Sequence, residues 1–574
     1  MSTDAPKLSP VESIKEASKY LLGTIDTELV DTTDHFNKDN LQLLKFHGTY
    51  QQDDRDARIA RKKEGLGKAF SMMIRCRIPG GRLSSKQLTG MLDICDELGN
   101  STMKLTTRQT IQLHGVLKSD LRDTINKINE IGLSTLAACG DVNRNIMCCP
   151  AKRVGGVHDQ LNHLTDELTE ALAPKTPSYY ELWLMDPDSD DKQLVGGGSP
   201  EGIDEPLYGP TYLPRKFKLG IALPEDNCID IYTQDLGYIA VVRDGDVIGY
   251  NVTVGGGMGT TPALKRTFPA LAKRMAFCTP DQAIDVAQAV IKVQRDNGNR
   301  ADRKVARMKY LIADWGIEKF RSEVERYLGY DLKDCTEDDV FDVDDHMGWQ
   351  EQGDGKWSYG LNVENGRLFD SDTIRFKAAL REVAETFDCE VRLAGNQSII
   401  FTDMNESDRQ PLIAILKDHQ IPLTEETSTV RRWSMACVAL PTCGLAITES
   451  ERRLPSIIDG LEEPLAKLGL AKERFTIRMT GCPNGCARPY NADLALVGKA
   501  KDKYTMYAGG GWLGNRLAGV YKDLVPDTEV VDEMVAVFAA YKANRHEDES
   551  LGAFCTRVGP EDLAVLAAAA PKPE

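Results

Sequence analysis

A chain of 574 residues, 41% hydrophobic and 27% charged, has the composition of a soluble globular protein and is too long for a single core, so two or three domains are expected. A formal charge of -17 argues against nucleic-acid binding, which needs a basic face, and requires any anion site to concentrate its own positive charge. No run of eighteen apolar residues and no basic, apolar leader at Met1 to Ser18 is found, and the fourteen cysteines are scattered; a cytoplasmic protein with reduced thiols is expected.

Residues 1–65 read as a polar arm whose order depends on a partner or on the body of the fold, with a helix-like segment from Pro10 to Leu22 behind the N-cap candidate Ser9 and an aperiodic, aromatic loop from Phe46 to Asp56. Residues 66–135 open with a strand from Ser71 to Ile78 that carries Arg75 and Arg77 and turns at Pro79-Gly80-Gly81. A helix near Ser84–Leu98 follows, with Leu88, Met91, Leu92 and Cys95 at helical spacing. A second strand, Met103 to Gly115, alternates so that Thr106, Arg108, Thr110, Gln112 and His114 share a face. Five polar positions on one face need either open water or a polar ligand.

Residues 136–345 hold Gly140-Asp-Val-Asn-Arg144-Asn and Leu213-Pro-Arg-Lys216-Phe-Lys218. In the second motif both lysines fall on one side of an extended chain with Phe217 opposite, a pattern that by itself usually marks surface. Val254-Gly-Gly-Gly-Met258-Gly reads as a tight turn or a ligand contact, and the basic, helical stretch from Cys278 to Tyr330 as a solvated face. The plan then repeats. Over residues 346–425, Gly360 to Leu368, a helical segment from Thr373 to Thr386 and Glu390 to Phe401 reproduce the order strand, Gly-Arg-Leu turn, helix, strand. In residues 426–574, Ala508-Gly-Gly-Gly-Trp512-Leu-Gly echoes the first glycine triplet. Internal duplication is expected, with two related halves facing each other across a central cleft. No G-x-G-x-x-G opens a helix after a first strand, so neither NADPH nor a flavin is expected to have a site in this chain. A helix after Asp527 and a frayed end from Ala567 close the chain.

Four cysteines in two clips, Cys437-x5-Cys443 and Cys482-Pro-Asn-Gly-Cys486, organise the rest. Thiolates from two separated loops suit a [4Fe-4S] cluster, and the five-residue gap in the first clip counts mildly against structural zinc. Spacing alone favours the cluster and leaves zinc and unligated core cysteines open.

The stretches Ser434-Met-Ala-Cys437-x5-Cys443-x-Leu-Ala-Ile-Thr-Glu and Thr480-Gly-Cys-Pro-Asn-Gly-Cys486-Ala-Arg-Pro-Tyr resemble the signature of the siroheme-dependent sulfite and nitrite reductases. The resemblance covers nearly the whole chain. It implies an α+β fold of two duplicated halves, ferredoxin-like repeats plus α/β siroheme- and cluster-binding domains, around a central cofactor cleft. It implies a [4Fe-4S] cluster on Cys437, Cys443, Cys482 and Cys486, with Cys486 bridging to the siroheme iron. Arg77, Arg144, Lys216 and Lys218 are implied to bind sulfite, Lys216 and Lys218 as proton donors. Lys104, Thr106, Arg108, Gln112, His114 and Asn484 fall at positions near the siroheme, Lys104 standing where relatives carry arginine. The reaction implied is the six-electron reduction of sulfite to sulfide in assimilation. Electrons would come from a separate NADPH-oxidising subunit with FAD and FMN, or from a ferredoxin. Nitrite reductases of this family tend to carry asparagine in place of Lys218, which points to sulfite.

Overall fold

The computed structural model describes residues 7–185, 192–197 and 205–571. Duplication in the sequence appears as two pairs of five-stranded sheets. One member of the first pair runs in the order Thr49–Asp53, Phe70–Arg75, Ile111–Val116, Met103–Leu105, Arg367–Leu368. Its counterpart runs Gly348–Glu351, Trp357–Leu361, Ile399–Met404, Glu390–Leu393, Arg82–Ser84. The two repeated Gly-Arg-Leu turns thus give up their strands to each other's sheet: Arg367 pairs with Lys104, and Arg82 with Arg392. Glycine precedes each exchanged strand for the same reason. A Cβ on Gly81 (φ +73°) would stand 2.6 Å from the Leu393 carbonyl oxygen, and one on Gly366 (φ +69°) 2.4 Å from that of Leu105. Helices Ser85–Leu98 and Phe376–Thr386 cover both sheets, and Leu88, Met91, Leu380 and Val383 enter one shared core.

The second pair is mixed. Met147–Cys148, Leu219–Ala222 and Leu236–Arg243 run parallel, followed antiparallel by Asp246–Val254 and Lys273–Cys278. Ser434–Ala436, Ile477–Thr480, Leu494–Ala500, Lys503–Ala508 and Gly519–Pro526 repeat this pattern. Each glycine triplet marks a close backbone approach: a Cβ on Gly256 would meet the Tyr232 and Gln234 carbonyl oxygens at 2.3 Å, and one on Gly510 the Ala492 oxygen at 2.2 Å.

Two sequence expectations change, and a third, that of the arm, is made specific. The segment Met103–Gly115 is a hairpin rather than one strand, because Gln109 takes φ 54° and the Thr106 N–H bonds to the Thr110 carbonyl at 2.9 Å. The polar arm is tied down. Helix Pro10–Ala17 buries Lys15, whose Nζ reaches the Leu213 carbonyl at 2.8 Å and Glu12 at 2.7 Å. At the other end, the expected fraying from Ala567 falls within helix Pro560–Ala569, where Ala567 is buried; residues 572–574 lie outside the described residues.

Candidate functional site

The two cysteine clips meet because they leave neighbouring parallel strands at the same end. Cys437 follows Ser434–Ala436, and Cys482 lies just past Ile477–Thr480. The C-terminal ends of parallel strands are where α/β sheets hold ligands. A Cβ on Gly481 would stand 2.5 Å from both the Ala439 Cβ and the Thr448 carbonyl oxygen, so glycine lets one clip close on the other. Gly481 N–H donates to Cys437 Sγ at 3.4 Å, and Asn484 Nδ2 donates to Cys482 Sγ at 3.3 Å. Burial, and after it the neighbouring clip thiols, raises the pKa of Cys437, Cys443 and Cys482, that of Cys482 to about 11. Mutual repulsion of this kind is felt only among close sulfurs, and no disulfide relieves it: all fourteen cysteines are free. A set of four sulfurs without nitrogen or oxygen ligands fits a soft, polynuclear iron centre, whose positive charge would compensate the thiolates. Cys486 alone of the four is exposed, which leaves its sulfur able to bond outward. Its carbonyl accepts from Thr107 Oγ1 at 3.0 Å, and Arg488 Nη1 donates to the Thr107 carbonyl at 2.8 Å, so the hairpin of the opposite sheet pins this loop.

Lys216 lies within electrostatic reach of Cys486, and Lys218 within reach of Lys216. Phe217 is buried and bridges to Asn143, which turns the two lysines the other way, half-buried. Neither ammonium has a hydrogen-bonding or acidic protein partner among the described residues. Burial, then Arg215, Arg144 and Arg307, lowers the Lys216 pKa to about 7, while Cys486 opposes the shift. Burial, then Arg108, Lys216, Arg307 and Arg144, holds Lys218 well below its ordinary value. The neighbouring cations are largely committed. Arg307 pairs with Asp235 at 2.6 Å, Arg303 with Asp141 at 2.7 Å, and Lys309 donates to the Gly257 and Gly259 carbonyls at 2.9 and 2.8 Å. What remains is a pocket of uncompensated positive charge, the local concentration that a net-acidic chain needs to hold a small anion.

Not all of the expected site residues lie together. Arg77 lies past the end of its strand; its guanidinium donates to the Thr169 carbonyl and lines a different surface hollow with Arg82 and Asp166. Arg75 instead faces the pocket side. Its Nη1 donates to Cys139 Sγ at 2.9 Å, and the Gln112 amide, with its oxygen turned toward it, accepts from Nη2 at 2.5 Å and from Nε at 3.1 Å. The hairpin folds the polar positions back on one another and keeps them on one side: Lys104 pairs with Gln112, and Gln112 with Arg75, opposite the core residues Met103, Leu105, Ile111 and Leu113, while Thr106 and Thr110 bond to each other through their hydroxyls at 2.8 Å. Arg108, at the tip, donates to Gln234 Oε1 at 2.7 Å and to the Asn145 carbonyl at 2.5 Å. Lys104 is buried against Glu451 at 2.5 Å. His114 Nδ1 lies 3.3 Å from Gln52 Oε1, and burial, then Arg367, Lys104 and Arg75, holds its pKa well below the usual value, so the ring is neutral. Arg144 is buried, with Nε and Nη2 on the Gly140 carbonyl at 3.3 and 3.2 Å. Sequence reading passed over Arg75, Arg215, Arg307 and Lys309. The last two lie in the basic stretch read as solvated; Lys304 and Lys319 there are exposed, but Arg307 and Lys309 are turned inward onto Asp235 and the glycine loop.

The family model for the nitrite and sulphite reductase 4Fe-4S domain matches residues 200–332 and 434–568, and that for the nitrite/sulfite reductase ferredoxin-like half domain matches residues 67–131 and 350–419. A sulfite reductase [NADPH] hemoprotein beta-component from Paenibacillus sp. (strain JDR-2) is 44% identical over 554 residues, 96% of this chain and 95% of that protein. One from Staphylococcus haemolyticus is equally similar, at 44% over 554 residues. Among solved structures, Mycobacterium tuberculosis NirA superposes with a TM-score of 0.77 at 25% identity, covering 97% of both chains. The doubled sheets, the paired cysteine clips and the full-length likeness agree, and the chain belongs to the nitrite and sulphite reductase 4Fe-4S family.

Proposed function

We propose that this chain is the hemoprotein component of an assimilatory sulfite reductase, reducing sulfite to sulfide with electrons from a separate NADPH-oxidising flavoprotein subunit. The residues fit the cofactors of that reaction. Siroheme, joined through the Cys486 thiolate to a [4Fe-4S] cluster on Cys437, Cys443, Cys482 and Cys486, would supply stored electrons and a Lewis-acidic iron when bound. The chain supplies the anion site and the protons. Lys216 and Lys218, with Arg144 and Arg75 behind them, would clamp the sulfite oxygens through charge-assisted hydrogen bonds. An arriving dianion favours the charged form of both lysines, so binding itself loads them with protons. Each S–O bond that breaks needs protons to release oxygen as water. Lys216, with its pKa near 7, can give one up near neutral pH and recover it from solvent. In this reading Arg75 takes the role first assigned to Arg77. Gln112, His114 and Asn484 would stand near the macrocycle, and Thr106, Lys104 and Arg108 would position the walls through their protein partners rather than meet its carboxylates directly.

The observation that carries the proposal is a pair of lysines without acidic or hydrogen-bonding partners among the described residues, one of them, Lys216, within electrostatic reach of the one exposed clip cysteine. The test is a visible spectrum of the purified chain with iron and acid-labile sulfide analysis, followed by sulfide release with NADPH and the flavoprotein or with reduced ferredoxin. Siroheme bands with labile sulfide are expected; a colourless zinc protein would overturn the reading. Sulfide formation with ferredoxin alone would replace the donor and leave the chemistry. A cytoplasmic location goes with this role, and among the described residues no helix is long and apolar enough to cross a membrane.

A further inference from the structure

The two α/β halves can be aligned residue by residue through their sheets. Leu219 pairs with Leu236 as Ile477 pairs with Leu494, and Met147 pairs with Gly220 as Met435 pairs with Arg478. Followed two residues past Met147 and Met435, this register sets Cys149 on Cys437. Counted equally from Leu219 and Ile477, it sets Cys228 on Cys486, and Asp230 (φ 52°) on Arg488 (φ 51°). The first half therefore keeps two cysteines at the places where the second half holds two of its cluster ligands. The equivalent of Cys482 is Pro224, so a four-thiolate cluster cannot form there.

Those two cysteines are not alone. Asp226 and His346 join them, and the four ligand atoms lie within 4.8 Å of one another. Cys149 Sγ is 2.8 Å from Asp226 Oδ2 and 4.0 Å from His346 Nε2, and His346 Nε2 is 3.0 Å from Asp226 Oδ2. Cys149, Asp226 and His346 are buried. The other Asp226 oxygen accepts from the Cys228 and Asp344 N–H groups at 3.1 and 3.2 Å, which aims Oδ2 into the set. Behind His346, Nδ1 is buried without a hydrogen bond, 3.7 Å from Asp344 Oδ2, the kind of outer carboxylate that orients a metal-bound imidazole. A crevice lined by Cys228, Asp344, His346 and Trp512 borders the set and offers an entry path.

We infer that Cys149, Asp226, Cys228 and His346 bind a single zinc ion, a second metal site separate from the cluster clips. Bonds of about 2.0–2.3 Å place tetrahedral ligand atoms roughly 3.3–3.8 Å apart, a spacing reached here by shifts of under about 1 Å. Two thiolates, an imidazole and a carboxylate are donors that zinc accepts together. Bound there, the ion ties the first α/β half to the segment that leads into the second ferredoxin-like half.

The test uses holoenzyme with an intact siroheme spectrum, incubated with zinc chloride, desalted and analysed for metals. About one zinc per chain is expected in addition to the iron, with a zinc X-ray absorption edge fitted by two sulfur and two nitrogen or oxygen neighbours. Cys228→Ser and His346→Gln should each lower the zinc content at least about fivefold while siroheme absorbance and acid-labile sulfide stay at wild-type levels. Less than about 0.1 zinc per chain in the wild type would overturn the inference, because a buried site of this kind binds tightly. Unchanged zinc in both variants, or four sulfur neighbours, would do so as well, the latter placing zinc in the cluster clips. Should the variants not fold, the wild-type stoichiometry and absorption edge decide.

Discussion

Lys216 and Lys218 stand out because no acidic or hydrogen-bonding partner among the described residues answers their charge. Burial and positive neighbours place the Lys216 pKa near 7, below its ordinary value, so its charged form is full below that pH and lost above it. Sulfite kcat/KM is therefore expected to fall as pH rises through 7. Lys216→Arg, charged at every pH, should flatten the KM part of that fall while kcat drops about tenfold or more, because arginine does not release its proton. Parallel profiles for the two enzymes would remove Lys216 as donor. Lys218→Asn is expected to raise nitrite turnover relative to sulfite, read as the ratio of the two kcat/KM values; an unchanged ratio would remove the basis for the substrate choice. The arginines make a sharper comparison. Loss of a charge-assisted bond costs about 1.5–3 kcal/mol, so Arg75→Gln should lower sulfite kcat/KM roughly 10- to 100-fold. Arg77→Gln, away from the pocket, should instead lower thermal stability and leave kcat/KM within about threefold. The lysine pair was legible as an alternation around Phe217. The choice between Arg75 and Arg77 was not, because the strand carries a register shift between Met72 and Ile74 and ends at Arg75, where simple alternation stops.

At the scale of elements, the strand exchange explains why Gly-Arg-Leu occurs twice. Gln109 Nε2 donates to the Leu393 carbonyl at 2.9 Å and Gln397 Nε2 to that of Leu105 at 3.5 Å, so each hairpin grips the strand of the other half. Gly366 lies where Leu105 O and Gln397 Cβ leave no room for a methyl group. Gly366→Ala is expected to cost about 3 kcal/mol or more, from strain at positive φ and from overlap, and to appear as a lower thermal midpoint and a smaller yield of coloured protein. A midpoint within error of wild type would show that the exchange tolerates a side chain. The repeat was visible in sequence because its turn residues are local. That the turns feed opposite sheets was not, since pairing across more than 260 residues leaves no short-range pattern.

For the molecule as a whole, the equivalent positions 230 and 488 meet across the duplication. Asp230 is buried between Arg478, at 2.8 Å, and Arg488, which also donates to the Gly395 carbonyl at 3.1 Å. Asp230→Ala would strand two buried guanidinium groups at a cost of about 3–5 kcal/mol, and loss of soluble, cofactor-loaded protein is the expected outcome; normal yield and midpoint would show that the halves are joined elsewhere. Sequence alone determined the two-clip cysteine pattern and the duplication, because paired thiols, glycines at close approaches and repeated turns are demands met within a few residues of chain. Which cations are left without an acidic partner only the tertiary structure decided. Lys104 is neutralised by Glu451, Arg307 by Asp235, and Lys216 by no partner among the described residues, and such pairings between distant segments depend on how the sheets are assembled rather than on any spacing along the chain.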